Sequence, residues 1–493
     1  VHPAPLKSLK HPLHSLQRKI RRVFPLYTCS SEHLTRHSIH ILEKAWKNYR
    51  FLHIMRQRCR LICSRSSLYL YVTAIALFTL CNILAIILIS RNSKQNDQPI
   101  AKINAEVPIF PPQDGGLLIG NLLSSFVFNF NQSSSRTDLK RTYIIHDAVV
   151  VGNAYGTYGK SAYVTLATQC SVDRLHMLFE LADIWRAPMS VAVFVPGVDF
   201  YIAKVYIAYL RLCSQVIRTN ATFHFLYHRD MAPTDSYLSD HAHDHQAVPS
   251  CARSKEALPL LLRYRNGSFK RWWQQALHPQ NHLRNVARIG VRTPYHFLTD
   301  IDILPTLGLA HKLDVFLSTS PMGKSCPKCV YVVPTYEMPE QLPVPRSKAE
   351  LLERINKKQS RPFHAKVFIH NQYATNHSLW EKIPSSRELE AAYKISNYEF
   401  FYEPFFVARA NVPLYDERFI GYGFTRNTQV FEMHLAGFEL WVLNPAFAIH
   451  RGIQNKRGRG AWRERQNVIN RKQFIRFKNE MAIKYRSRTK GRS

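Results

Sequence analysis

Acid is what this sequence has least of. Its 493 residues hold 34 Asp and Glu against 67 Lys and Arg, a formal net charge of +33. Residues 1–67 carry only Glu32 and Glu43. So large a deficit fits a nucleic acid, an anionic membrane or an anionic substrate as partner. The excess is not one patch: it is heavy before Ser67, heavy again after Lys456, and milder between. Cysteine is also sparse, nine in all and scattered, which excludes a fold built on a disulfide framework. Cys326 and Cys329 form one CPKC with no second such pair, so it cannot close a four-ligand zinc site, and a disulfide suits it better. A phosphate-binding P-loop is absent as well. Gly159-Lys160-Ser161 looks like its end, but Ala154 stands where the first glycine belongs, and the following AYVTLAT is strand-like where the motif needs a helix.

What the sequence does have is a long uncharged run at Leu68–Ile89, whose one strongly polar residue is Asn82. A helix of this length crosses a bilayer, and the run is too long and too far from the start for a cleaved signal peptide. Arg56, Arg58, Arg60 and Arg65 precede it, against Arg91 and Lys94 after it, which puts the N-terminus in the cytosol. Sequons at Asn131, Asn220, Asn266 and Asn376 all follow the span and agree with a lumenal C-terminal part. We therefore expect a basic cytosolic tail at 1–67, a signal-anchor helix at 68–90, a lumenal stem rich in Asn, Ser, Gln and Pro at 91–140, a globular domain at 141–455 and a basic helical segment at 456–493. The chain opens on Val1, so its true start is not taken as known.

Within the globular domain, apolar runs at Tyr143–Val151, Ala162–Thr168, Ser190–Val195 and Thr222–Tyr227 read as strands. Helical spacing at Val172–Trp185, Asp199–Cys213 and Asn281–Val291 alternates with them. The alternation predicts an α/β layered fold with a largely parallel sheet. Thr293–Pro305, TPYHFLTDIDILP, then reads as a buried strand closed by proline. On a strand, Asp300 and Asp302 point to the same side. Two carboxylates at a strand's end suit a hard cation, Mn²⁺ or else Mg²⁺, which clamps a diphosphate as a leaving group. Ligands in such sheets bind at the carboxyl ends of strands. Gly421-Tyr-Gly423 is a tight turn that lets backbone approach a ligand.

Ordered motifs carry the reading further: VTLATQCSVDRL at Val164–Leu175, PMSVAVFVPG at Pro188–Gly197, NHLRNVAR at Asn281–Arg288, HFLTDIDILP at His296–Pro305, YVVPTYE at Tyr331–Glu337, YEPFFV at Tyr402–Val407, and the GYGF…EMHLAGFELWVLN…IHRG block ending at Gly452. In this order they resemble glycosyltransferase family 49, from about Val164 to about Tyr485. The resemblance implies a GT-A fold with a Rossmann-like mixed sheet, a UDP-sugar donor, Mn²⁺ dependence and a single-pass type II protein of the Golgi membrane. It implies that Asp300, Asp302 and His450 hold the metal. Thr165, Thr168 and Gln169, after the first strand, and Arg284 and Asn285, before the Asp-x-Asp, are candidate nucleotide contacts; Arg174 and Asn281 in the same motifs join them.

The family inverts configuration at the sugar carbon, so the acceptor hydroxyl needs a base. Glu432 ranks first, before Asp416 and Glu417; Thr425-Arg426-Asn427 after the glycine turn carries no carboxylate. The reading is transfer of glucuronic acid from UDP-glucuronate to a glycan acceptor in O-mannosyl-type protein glycosylation. Its rivals are another UDP-sugar (xylose, N-acetylglucosamine or glucose) and a catalytically silent glycan-binding protein. The bilayer is a partner through one helix, nucleic acid is not, and a homodimer or a transferase complex is compatible with the sequence. Lys456, Arg457, Arg459, Arg463 and Arg465 suit donor phosphates or an anionic acceptor. HAHDH at His241–His245 reads as a solvated loop. Asn376, in NQYATNHSLW, is expected near the acceptor side and so to be the least glycosylated sequon.

Overall fold

A computed structural model describes residues 116–234, 246–455 and 460–489. The expected tail at 1–67, the anchor at 68–90, the stem as far as residue 115, HAHDH, and Lys456, Arg457 and Arg459 lie outside the described residues. Among the described residues no helix is long and apolar enough to cross a membrane.

Fourteen strands and five principal helices frame the site. They run β1 (Arg136–Thr137), β2 (Tyr143–Val150), β3 (Val164–Ser171), α1 (Leu178–Trp185), β4 (Met189–Phe194), α2 (Asp199–Cys213) and β5 (Ala221–His228), then α3 (Gln280–Ile289), β6 (Tyr295–Leu298), β7 (Ile303–Pro305), β8 (Cys329–Val333), β9 (Thr335–Met338) and β10 (Arg361–Pro362). They finish with β11 (Glu390–Lys394), β12 (Phe405–Arg409), α4 (Asn427–Leu435), β13 (Glu439–Asn444), β14 (Ala448–Arg451) and α5 (Ala461–Thr489). A ten-stranded sheet runs β11-β13-β8-β12-β6-β3-β4-β5-β2-β1, and a four-stranded sheet runs β10-β9-β14-β7.

The sheet is mixed. Its centre, β6-β3-β4-β5, is parallel. β3 and β4 are buried on both faces apart from the half-buried Ser171 that ends β3, as the near-continuous apolar runs VTLATQC and MSVAVF require. Outside that centre only β8 and β13 pair in parallel, so a largely parallel sheet holds for the core and not for the flanks. There β12 runs antiparallel to β6 and β8, and β2 antiparallel to β5.

β3, the first strand of the parallel set, lies between β4 on one side and β6 on the other. This reversal of strand order opens a crevice at the carboxyl ends of β3 and β6. The Asp-x-Asp stretch stands there, though not on a strand. β6 ends at Leu298; Ile301 and Asp302 form a turn, closed by the Ile303 N–H donating to the Asp300 carbonyl at 3.0 Å. The run that reads as one strand is thus two, each in a different sheet. Asp300 and Asp302 reach the crevice through that turn and not through strand alternation.

α5 packs Phe474, Phe477 and Met481 against Phe419 and Phe431, a buried cluster of its own. From its opposite end it holds the glycine turn. Gln466 Oε1 accepts the Tyr422 N–H at 2.8 Å, and Asn470 Nδ2 donates to the carbonyls of Ile420, Tyr422 and Gly423 at 3.0–3.1 Å. Gly421 and Gly423 have φ of 75° and 93°, a region that L side chains disfavour. A Cβ on Gly421 would stand 2.6 Å from Gln466 Oε1.

Candidate active site

Two adjoining cavities meet at the Asp-x-Asp turn. One, of about 470 Å³, lies between β3 and the segment before α3 and is walled by Gln169, Arg174, Phe194, Trp273 and His278. The other, of about 600 Å³, opens toward the glycine turn and α5. Asp300, Asp302 and Gln280 line both.

His450 reaches this point through sheet pairing. β14 runs antiparallel to β7, with His450 opposite Ile303, so the histidine arrives beside Asp302 although the two are far apart in sequence. His450 Nε2 lies 3.3 Å from Asp302 Oδ2. The other ring nitrogen, Nδ1, is 2.9 Å from the Gly452 carbonyl, which requires it to donate and so orients Nε2 toward the carboxylate. Asp302 also takes the Arg174 guanidinium at 2.7 Å. Burial opposes charge on both members of the pair. The His450 hydrogen bond with the charges of Arg174 and His450 outweighs it at Asp302 and holds that carboxyl pKa below its ordinary value, while the hydrogen bond and charge of Asp302 with the Gly452 carbonyl hold the imidazole pKa above.

Asp300 is turned elsewhere. Its Oδ1 accepts from Arg426 Nη2 at 2.8 Å, Arg284 Nη2 at 3.3 Å and Gln169 Nε2 at 3.3 Å. Burial would raise its pKa, but the two guanidiniums keep the carboxyl well below the usual range. The structure therefore joins Asp302 to His450 and gives Asp300 to the arginines. Among the described residues no set of three or more His, Cys, Asp and Glu is gathered as a metal site. The Asp302–His450 pair fits a divalent cation all the same. A carboxylate and an imidazole lone pair converge there, and the imidazole is fixed from behind by a carbonyl, the usual outer support of a metal-binding histidine.

Of the candidate nucleotide contacts, Gln169 and Arg174 line the smaller cavity and Arg284 the larger. The rest serve the scaffold. Thr165 Oγ1 pairs with Thr293 Oγ1 at 2.7 Å in mid-sheet, and Thr168 is buried. Asn281 Nδ2 donates to the Asp416 carbonyl at 2.9 Å, and Asn285 Nδ2 to the Tyr415 carbonyl at 2.9 Å, fastening α3 to residues 415–417.

None of the three candidate bases faces either cavity. Glu432, on α4, turns its Oε1 to Lys484 Nζ at 2.7 Å and Tyr485 Oη at 2.9 Å on α5, an interhelix tie. Asp416 is clamped by Arg418, which also grips Glu480. Glu417 accepts from Asn285 Nδ2 at 2.9 Å. The larger cavity holds four acids: Asp300, Asp302, the exposed Glu464 of α5, and Glu403. Glu403 was hidden in YEPFFV. It stands just before β12, whose antiparallel pairing with β6 brings it alongside the Asp-x-Asp turn. Its Oε2 accepts from Asn371 Nδ2 at 2.7 Å, and the Asn427 N–H also donates to its carboxylate.

Arg463 of the basic segment lines the larger cavity; Arg465 is exposed and does not. Cys213–Cys251 and Cys326–Cys329 are disulfides. Asn131, Asn266 and Asn376 are exposed at helix N-caps and Asn220 is half-buried. Asn376 does not line the cavity, which removes the ground for singling it out.

Residues 163–486 match the profile of a family described as "Glycosyl-transferase for dystroglycan". Beta-1,4-glucuronyltransferase 1 of Danio rerio is 31% identical over 334 residues, 67% of this chain and 76% of that protein. The Homo sapiens protein of that name is 30% identical over 330 residues, 65% of this chain and again 76% of the relative. Xylosyl- and glucuronyltransferase LARGE2 of Rattus norvegicus is 30% identical over 288 residues, 58% of this chain and 34% of the relative. The mixed sheet with helices on its faces fits a GT-A-like transferase. With the matched profile covering most of its globular part, the chain belongs to glycosyltransferase family 49 and is a glycosyltransferase.

Proposed function

We propose that this protein transfers glucuronic acid from UDP-glucuronate to a glycan hydroxyl, with inversion at the sugar carbon and a divalent metal, in the O-mannosyl-type glycosylation of proteins. The observation that carries the reading is the meeting of Asp302 and His450 at 3.3 Å in a crevice at a topological switch point. Asp302 and His450 would hold Mn²⁺ or Mg²⁺, which when bound offsets charge on the departing UDP.

The chain's own groups divide the rest of the work. Phe194 and Trp273, stacked at 5.7 Å, offer the smaller cavity an aromatic wall for the uracil. Arg174 adds a cation beside Asp302 for the diphosphate. Glu403 takes the role first given to Glu432: the acceptor oxygen attacks the anomeric carbon, its proton passes to the Glu403 carboxylate, and the bond from that carbon to UDP breaks. Burial raises the pKa of Glu403 and so its basicity, while Arg426, Arg284 and the Asn427 N–H oppose part of that rise. Two disulfides and three exposed sequon asparagines support the lumen of the Golgi as the place of action.

Relatives named both xylosyl- and glucuronyltransferase keep UDP-xylose as the second donor to be tried. The test is UDP release by the purified full chain with Mn²⁺ and each of UDP-glucuronate, UDP-xylose, UDP-N-acetylglucosamine and UDP-glucose. Selective release from UDP-glucuronate is expected. Release from another donor alone would overturn the choice of sugar, and release from none would favour a silent binding protein.

A further inference from the structure

Among the described residues, the buried polar atoms beside the Asp-x-Asp turn that lack a hydrogen-bond partner include Arg426 Nη1 and both amide atoms, Nδ2 and Oδ1, of Asn427. Arg426 and Asn427 are only 4% and 1% exposed, and both line the larger cavity. Buried polar groups in folded proteins are nearly always paired. Here the Arg426 guanidinium lies over the Phe405 ring, 4.3 Å from its centroid, with one arm spent on Asp300 and the other without a hydrogen-bond partner. Asn427 is also the first residue of α4, where the helix presents its positive end.

We propose that Arg426 and Asn427 form the subsite that recognises the carboxylate of a uronic acid sugar. This rests on the transfer reading above and names the residues that select the donor. The chemistry matches atom by atom. A carboxylate has two acceptor oxygens, one for Arg426 Nη1 and one for Asn427 Nδ2. Asn427 Oδ1 needs a donor, and the hydroxyl on the ring carbon adjacent to the one that bears the carboxylate supplies it. A neutral hexose brings a single hydroxymethyl in place of the carboxylate and leaves an arginine N–H unpaired. A phosphate oxygen only accepts, so the donor diphosphate would satisfy the arginine and leave Asn427 Oδ1 unmet. Asp300, itself held by Arg284, accepts the other arm of Arg426 at 2.8 Å and fixes its guanidinium.

The experiment is equilibrium binding of UDP, UDP-glucuronate and UDP-glucose to the full chain with Mn²⁺, alongside turnover of UDP-glucuronate. It compares the parent with Arg426→Gln and with the near-isosteric Asn427→Asp, which leaves the Arg426–Asp300 pair in place and sets a like charge against the carboxylate. In both variants the preference for UDP-glucuronate over UDP-glucose should fall at least about tenfold, while affinity for UDP itself follows the parent. A parent that does not turn over UDP-glucuronate sinks the donor reading and the subsite with it. A parent that does, with a preference unchanged by both substitutions, sinks the subsite alone. Equal losses for UDP and UDP-glucuronate would assign these groups to the diphosphate and overturn the proposal in the same way.

Discussion

Asp302 and Glu403 are shifted in opposite directions by their surroundings, the first pKa held down and the second pushed up, and the role of each can be tested by a small change. Asp302 must stay charged between Arg174 and His450. Asp302→Asn keeps the shape and removes that charge, so kcat should fall by about 10²-fold or more with the far-ultraviolet circular dichroism unchanged. His450→Ala should weaken Mn²⁺ binding, read by titrating activity with metal; an unchanged metal requirement would leave the histidine no part in the site. Glu403 must be ionised to accept a proton, and its pKa is raised. The rate should therefore drop as pH falls through a value above the ordinary glutamate range near ~4.3. Glu403→Gln should lower kcat by about 10²- to 10⁴-fold and abolish that acid limb. A limb that survives in the variant belongs to another group. Asp300, Asp302 and His450 were legible as residue types in sequence motifs. Glu403 and Arg426 were not, because what makes them part of the site is the pairing of β12 with β6 and the turn that ends at α4, neither of which spacing encodes.

Among the elements, the apolar strands and the helix Asp199–Cys213 follow from their periodicity, and their bounds match the sequence reading closely. The Asp-x-Asp stretch does not. Its apolar residues resume at Ile303 only a few positions after Leu298, and composition cannot show that the two runs belong to different sheets with a turn at Ile301–Asp302 between them. Glu432 misled for a similar reason: a carboxylate on a buried helix looks catalytic until the partner helix brings Lys484 and Tyr485 to it. That partner, α5, is charged along most of its length yet is fastened by a few aromatic contacts. Phe474→Ala should destabilise the domain by about 3 kcal/mol, seen as a lowered urea midpoint. Asn470→Ala leaves that packing in place but frees three carbonyls of the glycine turn. It should raise KM for donor or acceptor more than it lowers stability; unchanged KM values would make the tie purely structural.

At the scale of the whole molecule, charge and topology carry the remaining expectation. Arginines before Leu68 and sequons after it support the proposal that the catalytic domain is lumenal. Protease added to intact microsomes should then spare residues beyond about 100 and digest them only once detergent is present. Digestion without detergent would reverse the orientation. The fastening of the glycine turn by α5 has a further result, in the order of synthesis. Every cavity-lining residue before α5, from Gln169 to Asn455, leaves the ribosome ahead of the helix that steadies the turn. A nascent chain can thus display all its catalytic motifs while its crevice still has no anchored wall. A premature stop codon before residue 461 would leave Asp300, Asp302, Glu403 and His450 intact and the apolar faces of Phe419 and Phe431 bare, a product for quality control to retain rather than an enzyme with a shortened tail.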